Sequence, residues 1–233
     1  MKIITNDKLV QRNALIGRYA GMAGLVVLAV GMYISFTQQE TGVMYAWICL
    51  IIGFALAQFG IYFGNRWGRK PRPYEAITRE LKGLDGNYAL YHFKTPAAHL
   101  LVGPAGVWAL FPFYQRGTIV YEKGRWKQKG GGFMLSYLKI FAQEGLGRVD
   151  LDVEAGLDSL KKYLSKKLPE DAVPEVQVAI LFTNEQAVIE ADDAPYPTIP
   201  VGKLKDLIKK SAKTNPLSLP KAKAVMDAIE MEG

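Results

Sequence analysis

Lys123, Arg125, Lys127 and Lys129 place a cation at every second position from 123 to 129 of this 233-residue chain. On a strand, alternate side chains share a face, so the four would project together with Trp126 opposite. Such a row suits phosphate, whether of nucleic acid or of a lipid headgroup, and equally suits a lysine-guarded edge strand in water. A second basic set, Arg66, Arg69, Lys70 and Arg72, follows a long apolar run. Glu75, Glu80, Glu122 and Glu154 are the carboxylates from which a metal site would have to be assembled. Histidine occurs only at positions 92 and 99, too few for a histidine metal cluster, and the lone Cys49 allows neither an internal disulfide nor a cysteine zinc site. No cofactor and no metal are expected.

The elements that must position these residues begin with two apolar runs. Tyr19–Phe36 is about long enough to cross a hydrocarbon core and Gly42–Gly64 clearly is, and neither contains Asp, Glu, Lys or Arg. Residues 37–41 would connect them as a tight helical hairpin. A cleaved signal peptide is not expected, because a second span follows at once. Lys2, Lys8, Arg12 and Arg18 precede the first run, the basic set at 66–72 follows the second, and the connecting loop has no cation. The positive-inside rule then puts both termini in the cytoplasm. The expected location is a bacterial plasma membrane, with two spans. Gly17-x-x-x-Gly21 and Gly60-x-x-x-Gly64 would allow close helix approach, within the hairpin or between copies.

The net charge of +7 is unevenly spread. Residues 1–64 carry four cations and two anions, residues 65–72 four cations and no anion, and residues 73–233 twenty-one cations and twenty anions. Most of the excess is therefore juxtamembrane, where each cation is worth about 1 kcal/mol against anionic lipid. A nearly neutral remainder argues against a general nucleic-acid binder.

Beyond Pro71 the pattern predicts a helix over 74–84, a strand over 88–93, and two short buried strands, 98–102 and 107–111, around the turn Gly103-Pro104-Ala105-Gly106. A second hairpin, 117–121 with 125–129, turns at Glu-Lys-Gly. Helices follow over 133–142 and 153–168, then a central strand over 176–182, a sheet extension at 187–189, and amphipathic helices over 201–213 and 219–231. The resulting layout is a cytoplasmic N-terminal segment (1–18), a transmembrane hairpin (19–64), a basic linker (65–72) and one α/β sandwich domain (73–233).

Residues 98–126 resemble the core of the nuclease-related domain (NERD), a branch of the PD-(D/E)XK nuclease superfamily. The residues that carry the likeness are His99, Leu100, Leu101, Val102, Gly103, Pro104, Gly106, Val107, Trp108, Gly117, Ile119 and Trp126. Weaker similarity reaches from about 73 to 213. It includes Leu151–Leu164, Val176–Phe182 and Thr198–Val201. The resemblance implies a metal-dependent phosphodiesterase scaffold whose Asp, Glu and Lys fall here on Ala98, Phe111 and Phe113, with Tyr74 where the family carries a helical Glu. Clustered carboxylates hold the Mg²⁺ that neutralises phosphate and activates water, and a lysine stabilises developing charge. Alanine and phenylalanine do neither. The resemblance thus implies a former active-site cleft at Ala98, His99, Phe111 and Phe113, without its chemistry. His99 is expected to be a hydrogen-bonded structural residue, and Phe111, Phe113 and Tyr114 either fill the cleft or face a partner. Two functions follow: a non-catalytic, membrane-anchored interaction scaffold, which is favoured, or a membrane-tethered nuclease or nucleic-acid binder. The expected partners are membrane lipid and a protein, or a second copy, met through the hairpin or the apolar cleft.

Overall fold

The structure, a computed structural model, describes residues 1–37, 42–68, 70–130, 132 and 145–231. The helix expected over 133–142, most of the loop between the spans, and Arg69 lie outside the described residues. Two compact units form: a helical unit over Asp7–Arg72, and a sheet unit that combines Met1–Asn6 with Pro73–Gly132 and the chain from Gly145 onward.

In the helical unit, α1 (Asp7–Thr37) and α2 (Gly42–Phe63) run through both apolar segments, and a short π-helical turn, Gly64–Gly68, follows. Both helices are long and apolar enough to cross a bilayer. The first starts twelve residues before its apolar part. Their seam is made by glycines seven residues apart: Gly17, Gly24 and Gly31 on α1 are buried, as are Gly53 and Gly60 on α2. A Cβ on Gly24 would lie 2.8 Å from the Ala57 nitrogen, and one on Gly60 would lie 2.6 Å from that of Gly21. Gly64, expected to pair with Gly60 in a four-residue motif, meets nothing within 4 Å. The close approach within the hairpin therefore uses the four-residue pair Gly17 and Gly21, whose backbone Gly60 meets, but not Gly64, and the buried glycines of the seam recur at seven, the period of a left-handed helix pair. Gly24→Leu and Gly60→Leu should each force the helices apart, whereas Gly64→Leu should leave them in place; spin-label distances across the hairpin in nanodiscs would read the difference.

The sheet unit holds a six-stranded sheet in the order β1-β2-β3-β4-β7-β9 and a three-stranded sheet in the order β6-β5-β8. The strands are β1 (Lys2–Thr5), β2 (Ala89–His92), β3 (His99–Gly103), β4 (Gly106–Phe113), β5 (Gly117–Glu122), β6 (Arg125–Lys129), β7 (Val176–Phe182), β8 (Ala187–Glu190) and β9 (Thr198–Pro200). The helices are α3 (Pro73–Leu81), α4 (Val149–Ser165), α5 (Leu204–Thr214) and α6 (Leu219–Glu230). β2, β3 and β4 form an antiparallel meander, and β7 returns parallel to β4. Strict alternation along β4 splits the core in two. Val107 and Ala109 join Val153, Leu157 and Leu160 of α4 and Val225 of α6. Trp108 and Leu110 join Ile77 and Leu81 of α3 and Leu204 and Ile208 of α5. Helices thus cover both faces of the larger sheet, which explains why β2 and β3 are buried throughout.

Two expectations need correcting. Residues 1–18 are not one separate segment, because Lys2–Thr5 pairs parallel with β2 as an edge strand of the sheet (Lys2↔Ala89 to Thr5↔His92). Residues 187–189 do not extend the main sheet; they pair with β5 in the smaller one.

Candidate functional site

Phe111 and Phe113 project from the same face of β4 into the layer beneath α4. Gly156 of α4 lets the Phe111 ring approach: a Cβ there would sit 2.8 Å from two ring carbons. Phe113 stacks on Phe182 of β7, centroids 5.8 Å apart at 28°. Ala98 lies just before β3, and its carbonyl accepts a 2.7 Å hydrogen bond from the Phe93 amide. Leu100 pairs with Ala109, so continuing this register by two residues puts Ala98 opposite Phe111. The structure thus brings Ala98, Phe111 and Phe113 to one end of the β3–β4 ladder, and the two phenylalanines rest in apolar packing.

His99 is turned elsewhere. Its Nδ1 lies 2.9 Å from Nδ1 of His92, and both rings are buried. His92 Nε2 is 2.9 Å from Thr78 Oγ1. Phe93 meets the His99 ring edge-on at 4.8 Å, and Tyr74 lies 5.3 Å from His92. Tyr74 therefore packs on a histidine. Two Nδ1 atoms share a hydrogen bond only if one donates and the other keeps its lone pair. Burial in this aromatic setting holds the His92 pKa down at about 4, against an ordinary 6.5. The unfolded chain then binds the extra proton more readily than the native one, so stability is complete above pH 6.5 and is lost as pH falls towards 4. The shift corresponds to about 3 kcal/mol. Urea unfolding of the full chain in detergent between pH 4.5 and 7.5 should show this loss, and His92→Gln should flatten the profile.

The basic row is shorter than its sequence suggests. Lys123 sits in the β5–β6 turn with φ +53°, beside Gly124 at +72°, and is not on the strand. Arg125, Lys127 and Lys129 do share the exposed side of β6, and Trp126 packs on the core. Glu122 holds two of the three: Lys127 at 3.3 Å and Lys129 in a close pair. These bonds lower the Glu122 pKa, the Lys129 contact contributing most. Glu122→Gln should free both ammonium groups and raise binding to polyphosphate, an effect that a salt titration would reveal and 0.5 M salt would remove.

The other candidates are dispersed. Arg66 lies over the Trp67 ring at 5.8 Å, and Arg72 donates to the Trp67 carbonyl at 2.8 Å. Lys70 is exposed. Glu80 pairs with Arg79 at 3.2 Å, Glu75 lies in the first turn of α3, and Glu154 is exposed on α4. Among the described residues no three His, Cys, Asp or Glu side chains converge as metal ligands. The sequence reading missed the joining of the two histidines, seven residues apart, because only the register of β2 against β3 (His92↔His99) brings them together.

No protein-family model matches this chain, and no curated protein or solved structure is detectably similar to it.

Proposed function

We propose that this chain is a membrane-anchored, non-catalytic scaffold whose NERD-like sheet unit works at the cytoplasmic face. The observation that carries the reading is the packing of Phe111 on Gly156 and of Phe113 on Phe182. Rings seated in this way leave no polar cradle for a cation and a phosphate at the positions where the family resemblance would require them. The pairing of β1 with β2 supports a shared side for both ends of the hairpin, and flanking charge alone supports the cytoplasmic one. One strand precedes both apolar helices and the other follows them, so their shared sheet needs an even number of crossings. Lipid meets the hairpin, and a protein partner or a second copy meets the sheet unit.

The test uses the full-length protein in nanodiscs with labelled single- and double-stranded DNA and RNA, with and without Mg²⁺ or Mn²⁺, across a salt series. Absence of cleavage and of salt-sensitive binding is the expected result. Metal-dependent cleavage abolished by changing Glu75 or Glu154 would overturn the proposal. Binding that weakens with salt and on neutralising Arg125, Lys127 and Lys129 would make the protein a membrane-tethered nucleic-acid receptor instead.

A further inference from the structure

A cavity of about 400 Å³ opens where β1 and β2 end beside the last turn of α6. Ile4, Ile229 and Phe93 supply its apolar wall, and Asn6, Tyr91, Lys94 and Glu230 its polar groups. It is distinct from the Ala98–Phe111–Phe113 positions.

The charges in this cavity are of opposite sign and differently held. Glu230 is fixed: Lys2 Nζ donates to one oxygen at 2.6 Å and the Tyr91 hydroxyl to the other at 3.0 Å. These bonds keep its pKa below the ordinary carboxylate value, Lys2 contributing most. Each carboxylate oxygen still has room for a second donor. The last turn of α6 carries acids and no base, and the carbonyl end of a helix attracts positive charge. Lys167 reaches one of those carbonyls, Ala228 O, at 2.9 Å, and Lys2 is the other cation nearby. Lys94, in contrast, is exposed and forms no ion pair or hydrogen bond among the described residues. It follows Phe93, which holds a left-handed φ of +58°. A bulky residue keeps that conformation only where its surroundings impose it, and such strain gathers at ligand sites. Here it is imposed by the Phe93 amide on Ala98 O and by Asn6 Nδ2 on Phe93 O at 3.4 Å.

We propose that this cavity binds a small zwitterion in which an ammonium group and a single negative charge are joined by a short chain. The ammonium meets Glu230 and the anion meets Lys94. Free amino-acid-sized solutes and ethanolamine phosphodiester headgroups share this chemistry.

The test titrates full-length protein in phosphatidylglycerol nanodiscs with glycerophosphoethanolamine, followed by calorimetry. Saturable binding is expected, at least tenfold tighter than for glycerophosphoglycerol, which has the same anion and no ammonium. Lys94→Gln, a substitution at an exposed side chain, should weaken it at least tenfold, and so should Glu230→Gln. Loss of the titration when phosphatidylethanolamine is included in the nanodisc would assign the site to a lipid headgroup; an unchanged titration would assign it to a free solute. Absence of saturable binding, equal affinity for glycerophosphoglycerol, or an unaltered Lys94→Gln variant would each overturn the proposal.

Discussion

Deleting residues 1–6 is expected to cost the sheet unit about 3–5 kcal/mol. β1 forms four residue pairs with β2, extended by the Lys2 amide on Tyr88 O at 2.8 Å and the Asn6 amide on His92 O at 3.0 Å. A net 0.5–1.5 kcal/mol for each such bond gives roughly that sum, and burial of Ile4 against the core adds to it. The exposed Lys2–Glu230 pair contributes little. Against the roughly 5–15 kcal/mol that holds ordinary domains together, a fragment starting at Pro73 would stand near the limit of folding. It would also expose β2 as an unguarded edge. Urea unfolding of residues 73–233, compared with the same fragment carrying residues 1–6 on a Gly/Ser linker, measures the difference. Equal midpoints would show the strand to be dispensable.

Phe111→Glu, which introduces an acid where the proposed resemblance would place one, should also destabilise by about 3–5 kcal/mol and create no metal site. Removing a packed phenylalanine ring costs about this much, and setting a carboxylate against Gly156 under α4 adds desolvation. Phe111→Leu should cost less than about 1.5 kcal/mol, because it keeps the site apolar. The comparison separates charge from volume. Thermal unfolding with and without Mg²⁺ reads both effects; a Glu variant that unfolds like the parent and is stabilised by Mg²⁺ would mean that the cleft is open.

Legibility in the sequence followed the range of the interactions. The β3–β4 hairpin was readable because Gly103-Pro104-Ala105-Gly106 fixes its turn locally; the strands occupy His99–Gly103 and Gly106–Phe113. The central strand 176–182 was readable from an unbroken apolar run. β1 was not, since Lys-Ile-Ile-Thr is too short for periodicity and its partner lies more than eighty residues away. Lys123 misled for a local reason. A two-residue turn with both φ values positive is the mirror-image type that suits tight hairpins, and Lys-Gly signals it less clearly than Asn-Gly. The glycine seam was legible in composition but not in extent, because Gly17 and Gly21 meet Gly60 at the four-residue spacing whereas Gly64, at the same spacing from Gly60, meets nothing, and only the partner helix decides which glycines are used. That the rings of Phe111 and Phe113 are held by Gly156 and Phe182 depends on helix and strand packing that no local pattern encodes.

The pairing of β1 with β2 also imposes an order on biosynthesis. β1 leaves the ribosome first, yet its partner is made only after both apolar helices and α3. At about 5–20 residues per second the interval is roughly 4–17 s, during which a bare strand waits without a neighbour. A nascent chain that threaded only one helix through the bilayer would strand β1 and β2 in different compartments, and its sheet could never close. Where both helices cross a bilayer, or neither does, β1 and β2 share a compartment and the edge strand can pair; a chain with a single crossing would keep an open β2 edge.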